Sequence, residues 1–416
     1  MNTSKSTTAL NDGIFTDDEI LKLRLETAGC KFVNHLNNAG AGLMPDVVTK
    51  AQIAHLKLES EIGGYEAAAV KQSLIREFYS EAALLLNCSS SNIAFTSSAT
   101  DAYTRALSSI PFNTGDVILT DRDDFVSNQI QFLSLQKRFG LKIIHINNAE
   151  VGGVDLNDLA EKLNTNKPRL LAITHIPTNS GLVQPVDAIA RIFGAYAERY
   201  RDKTWYILDA CQSVGQIKLD VMKLKCDFMS FTCRKFLRGP RGTGALYISD
   251  YVLNAGLEPL FIDMRGAEWK NKDEYERQPD AKRFEDWEFA YSTVIGTMEA
   301  IRYCRNVGED RIWQRVKFLS GMLRNKLNSM DSIRVLDMGE AKGASVTFYA
   351  EHQKPEHLVQ ELVKRKINVV ASYRAYGLLD FDDKGVEWAV RVSPHYYNTV
   401  GEIDQFSQSL QEIMIK

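Results

Sequence analysis

The sequence predicts an α/β protein: a large domain on a mostly parallel sheet covered on both faces, followed by a smaller C-terminal α/β domain. Three observations carry this. Short apolar runs alternate with amphipathic stretches through the first two-thirds of the chain. At 416 residues it is too long for one simple core. Near residue 290 the pattern changes to a long amphipathic helix and a second, shorter set of strands.

In chain order, residues 46–79 read as helix, interrupted at Ile62-Gly-Gly-Tyr65. Strands are predicted at Ile93–Thr96, Val117–Thr120, Lys142–Ile146, Leu170–Thr174, Trp205–Leu208, Phe228–Phe231 and Ala245–Ile248. Helical patterns such as Val186–Tyr200 separate most of them. Over 310–327, Ile312, Val316, Leu319, Leu323 and Leu327 share one helical face. Strands follow near 333–336 and 344–349, a helix near 357–365, and strands near 367–371 and 388–392. Thr399-Val-Gly-Glu402 has the form of a capping box for a final helix. The expected units are a segment 1–45 packing with the small domain, a large domain 46–289 and a small domain 290–416.

Composition narrows the function. A net charge of −3 gives no broad basic footprint, so nucleic acid is not an expected partner. Residues 1–18 have no apolar core of the signal-peptide kind, and no run is long enough to span a bilayer. Six cysteines without Cys-Xaa-Xaa-Cys spacing argue against zinc or a disulfide framework, and a reducing, cytoplasmic setting is expected. No metal site is expected, and neither His-Glu-Xaa-Xaa-His nor Gly-Xaa-Ser-Xaa-Gly occurs.

The residues that carry chemistry cluster after predicted strands. Asp209 ends an apolar strand and precedes Ala-Cys-Gln212. Ligands of open α/β sheets bind at the carboxyl ends of strands, where an aspartate can keep a pyridinium nitrogen protonated. The next strand leads into Thr232-Cys-Arg-Lys235 and a glycine-rich turn, Gly239-Pro-Arg-Gly-Thr-Gly244. A lysine there is placed for a Schiff base with an aldehyde cofactor, and Thr232 and Arg234 suit a phosphate. Upstream, Ser97-Ser-Ala-Thr100 opens a helix whose N–H groups can meet a phosphate. Each feature has a plainer use: a turn aspartate, a solvated basic turn, a helix cap. Their combination favours the cofactor.

The order Ser98-Ala-Thr100, Asp209-Xaa-Xaa-Gln212, Thr232-Xaa-Arg-Lys235, Gly-Pro-Arg-Gly-Thr-Gly resembles the class V aminotransferases of pyridoxal-5′-phosphate (PLP) fold type I. That group includes cysteine desulfurases, carbon–sulfur lyases and isopenicillin-N-epimerase-like proteins. The resemblance runs from Leu36-Asn-Asn-Ala-Gly-Ala-Gly-Leu-Met-Pro45 to Val390-Arg-Val-Ser-Pro-His-Tyr-Tyr-Asn-Thr399. It implies that Lys235 carries PLP and moves protons at the substrate α-carbon. Asp209 would pair with the ring nitrogen and Gln212 with the phenolic oxygen or imine. Ser98, Ala99, Thr100, Thr232 and Arg234 would hold the phosphate. Either Thr178 or Asn179 would lie near the phenolic oxygen. Arg391 would clamp the substrate carboxylate, with Asn38 and Arg374 as further contacts.

Two departures bear on the reaction. Phe125, in Phe-Val-Ser-Asn128, stands where many desulfurases stack a histidine on the ring. The stretch Ser372-Tyr-Arg-Ala-Tyr-Gly-Leu-Leu-Asp380 lacks the cysteine with which desulfurases accept a persulfide. Glu61-Ile-Gly-Gly-Tyr-Glu66 and Arg283-Phe-Glu-Asp-Trp-Glu288 look more like the epimerase-like and sulfoxide-lyase branch. The expectation is a homodimeric C–S lyase acting by β-elimination on a small amino-acid substrate. An aminotransferase or epimerase is the alternative, and a non-catalytic binding protein on the same fold a remoter one. A nucleotide-dependent oxidoreductase is set aside, since the glycine-rich turn lacks the Gly-Xaa-Gly-Xaa-Xaa-Gly spacing and precedes a strand.

Overall fold

The computed structural model describes residues 13–200 and 204–415. The reading of residues 1–12 lies outside them. The large sheet has seven strands: β1 (Ile93–Thr96), β2 (Val117–Thr120), β3 (Lys142–His145), β4 (Leu170–Thr174), β5 (Trp205–Asp209), β6 (Phe228–Thr232) and β7 (Gly244–Ile248). Their spatial order is β1-β7-β6-β5-β4-β2-β3. All neighbours are parallel except β7, which runs antiparallel to both β1 and β6.

Helices on both faces bury the central strands completely, hence their continuous apolar sequences. Alternation of side chains divides the residues between two cores. Phe95, Leu171, Ile173, Tyr206, Leu208, Met229 and Phe231 pack on one face. Ala94, Leu170, Ala172, Trp205, Ile207 and Phe228 pack on the other, beneath Ala102, Tyr103 and Ala106 of helix Ala99–Ser109. Period two then sends Thr96, Thr174, Asp209 and Thr232 to the face that this helix covers. It sends His175 to the opposite one.

The predicted interruption of the first helical region is real. Helix Asp46–Ile62 stops at Gly63, whose φ of 99° is the conformation only glycine adopts cheaply, and helix Gly64–Val70 begins at once. Helix Tyr291–Val307 packs against Asp46–Ile62 and Gln72–Leu86, and its Val294, Ile295, Met298 and Ile301 belong to the large-domain core. The hydrophobic cores divide instead within helix Glu309–Asn328. Ile312 and Val316 face the large core, while Leu319, Leu323 and Leu327 face the C-terminal one.

The C-terminal sheet contains β8 (Ile333–Val335), β9 (Val346–Ala350), β10 (Val370–Tyr373) and β11 (Trp388–Val392), in the order β8-β9-β11-β10. The single strand expected over 367–371 is two. Ile367–Asn368 pairs in parallel with Asn34–His35, and the chain then changes partner to run beside β11. The capping box at Thr399 forms, with Glu402 N–H donating to Thr399 Oγ1 and Thr399 N–H to Glu402 Oε2.

Candidate active site

Register and strand direction assemble the site. Because β7 is antiparallel, its first residue, Gly244, lies between Thr96 at the end of β1 and Thr232 at the end of β6. Thr174 and Asp209 end the adjacent strands β4 and β5 opposite each other. A cavity of about 120 Å³ opens here, lined by residues 97–100, Phe125, Thr174, Thr178, Asp209, Cys211, Gln212, Thr232, Arg234 and Lys235 among others. Five separate stretches of sequence thus converge on one space.

Lys235 is buried at its floor, and among the described residues its amine makes no hydrogen bond or ion pair. Burial lowers its affinity for a proton, although Cys211 and Asp209 oppose this. The turn that carries it is held by Arg238, only 1% exposed, which donates to Leu43 O (2.7 Å), to Thr27 Oγ1 (2.6 Å) and to Tyr396 Oη. In sequence Arg238 looks like part of a solvated basic turn. Its role shows only in the fold, because its partners lie more than 150 residues away on either side.

At the start of helix Ala99–Ser109 the main-chain N–H groups of Ala99 and Thr100 have no partner among the described residues, while Ser98 Oγ accepts the Asp101 N–H at 3.1 Å. Ser98 is therefore the helix cap, and Ala99 and Thr100 offer donors to an anion. Thr232 Oγ1 makes only a long bond to Thr243 O, and the Arg234 guanidinium donates to Gly40 O. Gln212 Nε2 reaches Ala39 O (3.2 Å) and Thr178 Oγ1 (3.4 Å), leaving Oε1 buried and unpartnered.

Of the alternatives Thr178 and Asn179, Thr178 lines the cavity. Asn179 turns away, donating to Tyr376 O (2.9 Å) and accepting from Ser372 Oγ, so it fastens the C-terminal loop. Arg391 is buried beside the cavity, with Nη1 donating to Thr178 O (3.0 Å), Nη2 to Asn37 Oδ1 (3.3 Å) and Nε unpartnered. Burial, reinforced by Arg234, pushes it down to about 10, which leaves it charged at neutral pH.

Two expected contacts are not brought to this cluster. The Asn38 amide is used up by Ser393 O, His35 O and Tyr397 Oη, and its neighbour Asn37 meets Arg391 instead. Arg374 lies on the surface, its Nε and Nη2 both held by Asp382. Neither thiol near the site is a ready nucleophile: burial pushes Cys233 up to about 12 and Cys211 well above the ordinary range. His175, on the opposite face, is pushed down to about 4 by burial and stays neutral. Among the described residues no group of three or more histidine, cysteine, aspartate or glutamate side chains is placed to hold a metal, and no helix is long and apolar enough to cross a membrane.

Comparison with known proteins gives the setting. Residues 33–406 match the family model described as Aminotransferase class-V. The chain belongs to the class V aminotransferase family. That family's cofactor is PLP, the group expected from the sequence, and its fold is fold type I. A probable cysteine desulfurase of Pyrococcus abyssi is 25% identical over 391 residues, 92% of this chain and 94% of that protein. The apo structure of the cysteine desulfurase of Thermococcus onnurineus NA1 superposes with a TM-score of 0.84 at 23% identity, covering 95% and 98% of the two chains. The cystine C–S lyase C-DES, solved with its product cysteine persulfide, gives 0.81 at 23% identity over 92% and 98%.

The residues present fit the class V cofactor on their own chemistry. A buried unpaired amine, two free N–H groups at a helix start beside a guanidinium, and a buried carboxylate share one cavity. An orphaned buried amide oxygen adds a further polar contact.

Proposed function

We propose that this protein is a PLP-dependent carbon–sulfur lyase that cleaves a cysteine derivative by β-elimination, releasing the sulfur fragment with pyruvate and ammonia. The observation that carries the reading is the buried, unpaired Lys235 amine sharing its cavity with Asp209 and the free N–H groups of Ala99 and Thr100. Bound PLP supplies an electron sink for the pair left when the substrate loses its α-proton.

The chain's own groups do the rest. Lys235 holds the cofactor and then takes the α-proton, a task suited to an amine made less basic by burial. The Asp209 carboxylate keeps a proton on the ring nitrogen. Ala99 and Thr100 N–H, Thr232 and Arg234 would hold the phosphate, and Phe125 would pack against the ring. Thr178 and Gln212 would meet the phenolic oxygen. Arg391 receives the substrate carboxylate in a bidentate pair, aimed by Asn37 and the Thr178 carbonyl. With the Cβ–S bond broken, water completes the balance: a cysteine S-conjugate plus water gives a thiol, pyruvate and ammonia.

Elimination is favoured over persulfide transfer because residues 372–380 carry no cysteine and the thiols at the site are held protonated. The similar protein C-DES is named a cystine C–S lyase, in line with this choice. A homodimer is part of the proposal. Phe261 and Trp269 are 84% and 78% exposed on one excursion of the large domain, a surface a second copy would cover.

The test is pyruvate release from a panel of cysteine S-conjugates and sulfoxides by PLP-loaded protein. Release by wild type and none by Lys235→Ala is the expected outcome. Conversion of the cofactor to its amine form without pyruvate would make the protein an aminotransferase.

A further inference from the structure

Asp209 does not stand alone at the end of β5. Its Oδ1 accepts the Cys211 N–H at 2.9 Å, and its Oδ2 accepts one hydrogen of the Asn128 amide at 3.2 Å. The other hydrogen of that amide goes to Asp124 Oδ1 at 2.8 Å. An amide nitrogen has two hydrogens, and the two carboxylates take both, which fixes the Asn128 side chain in one orientation. Asp124 Oδ1 also accepts Phe125 N–H (2.7 Å) and the Thr174 hydroxyl (2.6 Å), and its Oδ2 accepts Gln129 Nε2 (2.8 Å).

Asp124, Asn128 and Asp209 are all buried, and among the described residues neither carboxylate has a lysine or arginine partner within ion-pair distance. Burial pushes Asp124 up to about 6, and its donors Thr174, Asn128 and Gln129 oppose this. Two buried carboxylates joined by a neutral amide are costly to ionise unless a cation completes them. Of the three, Asp209 lines the cavity. Neither Asp124 nor Asn128 lines the cavity themselves, although Phe125 between them does.

Resting on the reading that PLP occupies this cavity, we propose that Asn128 and Asp124 are positioning residues for Asp209. The Asn128 amide locks the carboxylate in the orientation that faces the ring nitrogen. The Asp124 charge behind it strengthens its hold on that protonated nitrogen. Neither residue touches cofactor or substrate.

Holoenzyme purified with PLP is compared as wild type, Asn128→Ala and Asp124→Asn. The readouts are the PLP dissociation constant, the pH midpoint of the bound cofactor's visible band, and Tm. Asn128→Ala is expected to weaken PLP binding about ten- to hundredfold, the factor carried by one hydrogen bond to a charged group. Its band midpoint moves to higher pH, because a less firmly protonated ring nitrogen repels the imine proton less. Asp124→Asn, nearly isosteric, weakens PLP binding in the same direction with Tm near wild type, so a folding defect in the alanine variant does not decide the matter. Unchanged dissociation constants and midpoints in both variants, or a change in Tm alone, overturn the proposal and leave the Lys235 reading intact. A wild-type protein that takes up no PLP removes both.

Discussion

Arg391 shows what a single residue can and cannot reveal before the fold is known. Its neighbours in sequence raise the expectation of a carboxylate clamp, but they do not say what would aim it. The aiming groups, Asn37 Oδ1 and Thr178 O, lie 354 and 213 residues away. Adjacent asparagines at 37 and 38 are indistinguishable in sequence. Which one faces the guanidinium depends on Tyr397 and Ser393 capturing the other. Thr178 and Asn179 were ambiguous for the same reason, and a loop from the C-terminal domain separates them. If Arg391 binds the substrate carboxylate with two parallel bonds, Arg391→Lys keeps the charge but loses the fork. Steady-state kinetics should show KM raised about tenfold or more with kcat little changed.

At the level of elements, the positions of the seven strands were legible because buried strands read as short apolar runs. Their direction was not. A strand enclosed on both faces has the same composition whether it runs up or down, so nothing in Ala-Leu-Tyr-Ile announces that β7 is antiparallel. That reversal matters because it delivers Gly244 to the helix start. A Cβ at this position would sit 2.5 Å from the Ser98 carbonyl carbon and 2.7 Å from Ala99 N. Main-chain atoms cannot rotate aside, so Gly244→Ala should displace the Ser98–Ala99 turn. The expected result is a folded protein destabilised by about 1–3 kcal/mol in chemical denaturation. Its affinity for PLP in a fluorescence titration should fall much further than that of a surface glycine variant, although residue 244 does not line the cavity.

Across the whole molecule, a buried acid pair and a surface ion pair fasten the C-terminal domain to the sheet. Arg122 donates to both oxygens of Asp383, at 2.9 and 2.7 Å. Beneath it Asp123 faces Asp380, which Lys384 meets at 2.5 Å, and Gln184 donates to Asp123 at 3.3 Å. Burial, with the Asp380 charge added, pushes Asp123 from 3.8 up to about 7. Between those values the folded chain holds a proton that the unfolded chain has released. Stability is therefore fullest below about pH 4 for this group and is lost as pH rises through about 7. Asp123→Asn should flatten that part of the Tm–pH curve, and an unchanged slope would assign the dependence to other groups. None of this contact could be read from Asp-Arg-Asp-Asp in the sequence, where a charge run looks solvated.

The pairing of Asn34–His35 with Ile367–Asn368, together with the Asn38–Tyr397 bond, has a consequence for biosynthesis. Residues 34–38 cannot reach their final neighbours until more than three hundred later residues have left the ribosome. The large sheet can close while they wait, since its strands need only residues 93–248. The segment is then a late-docking strap, and the Arg238 cage around the Lys235 turn, which needs Thr27, Leu43 and Tyr396 together, is among the last parts to set. A nascent chain halted before residue 366 would own every strand of its sheet and still lack a rigid seat for its lysine.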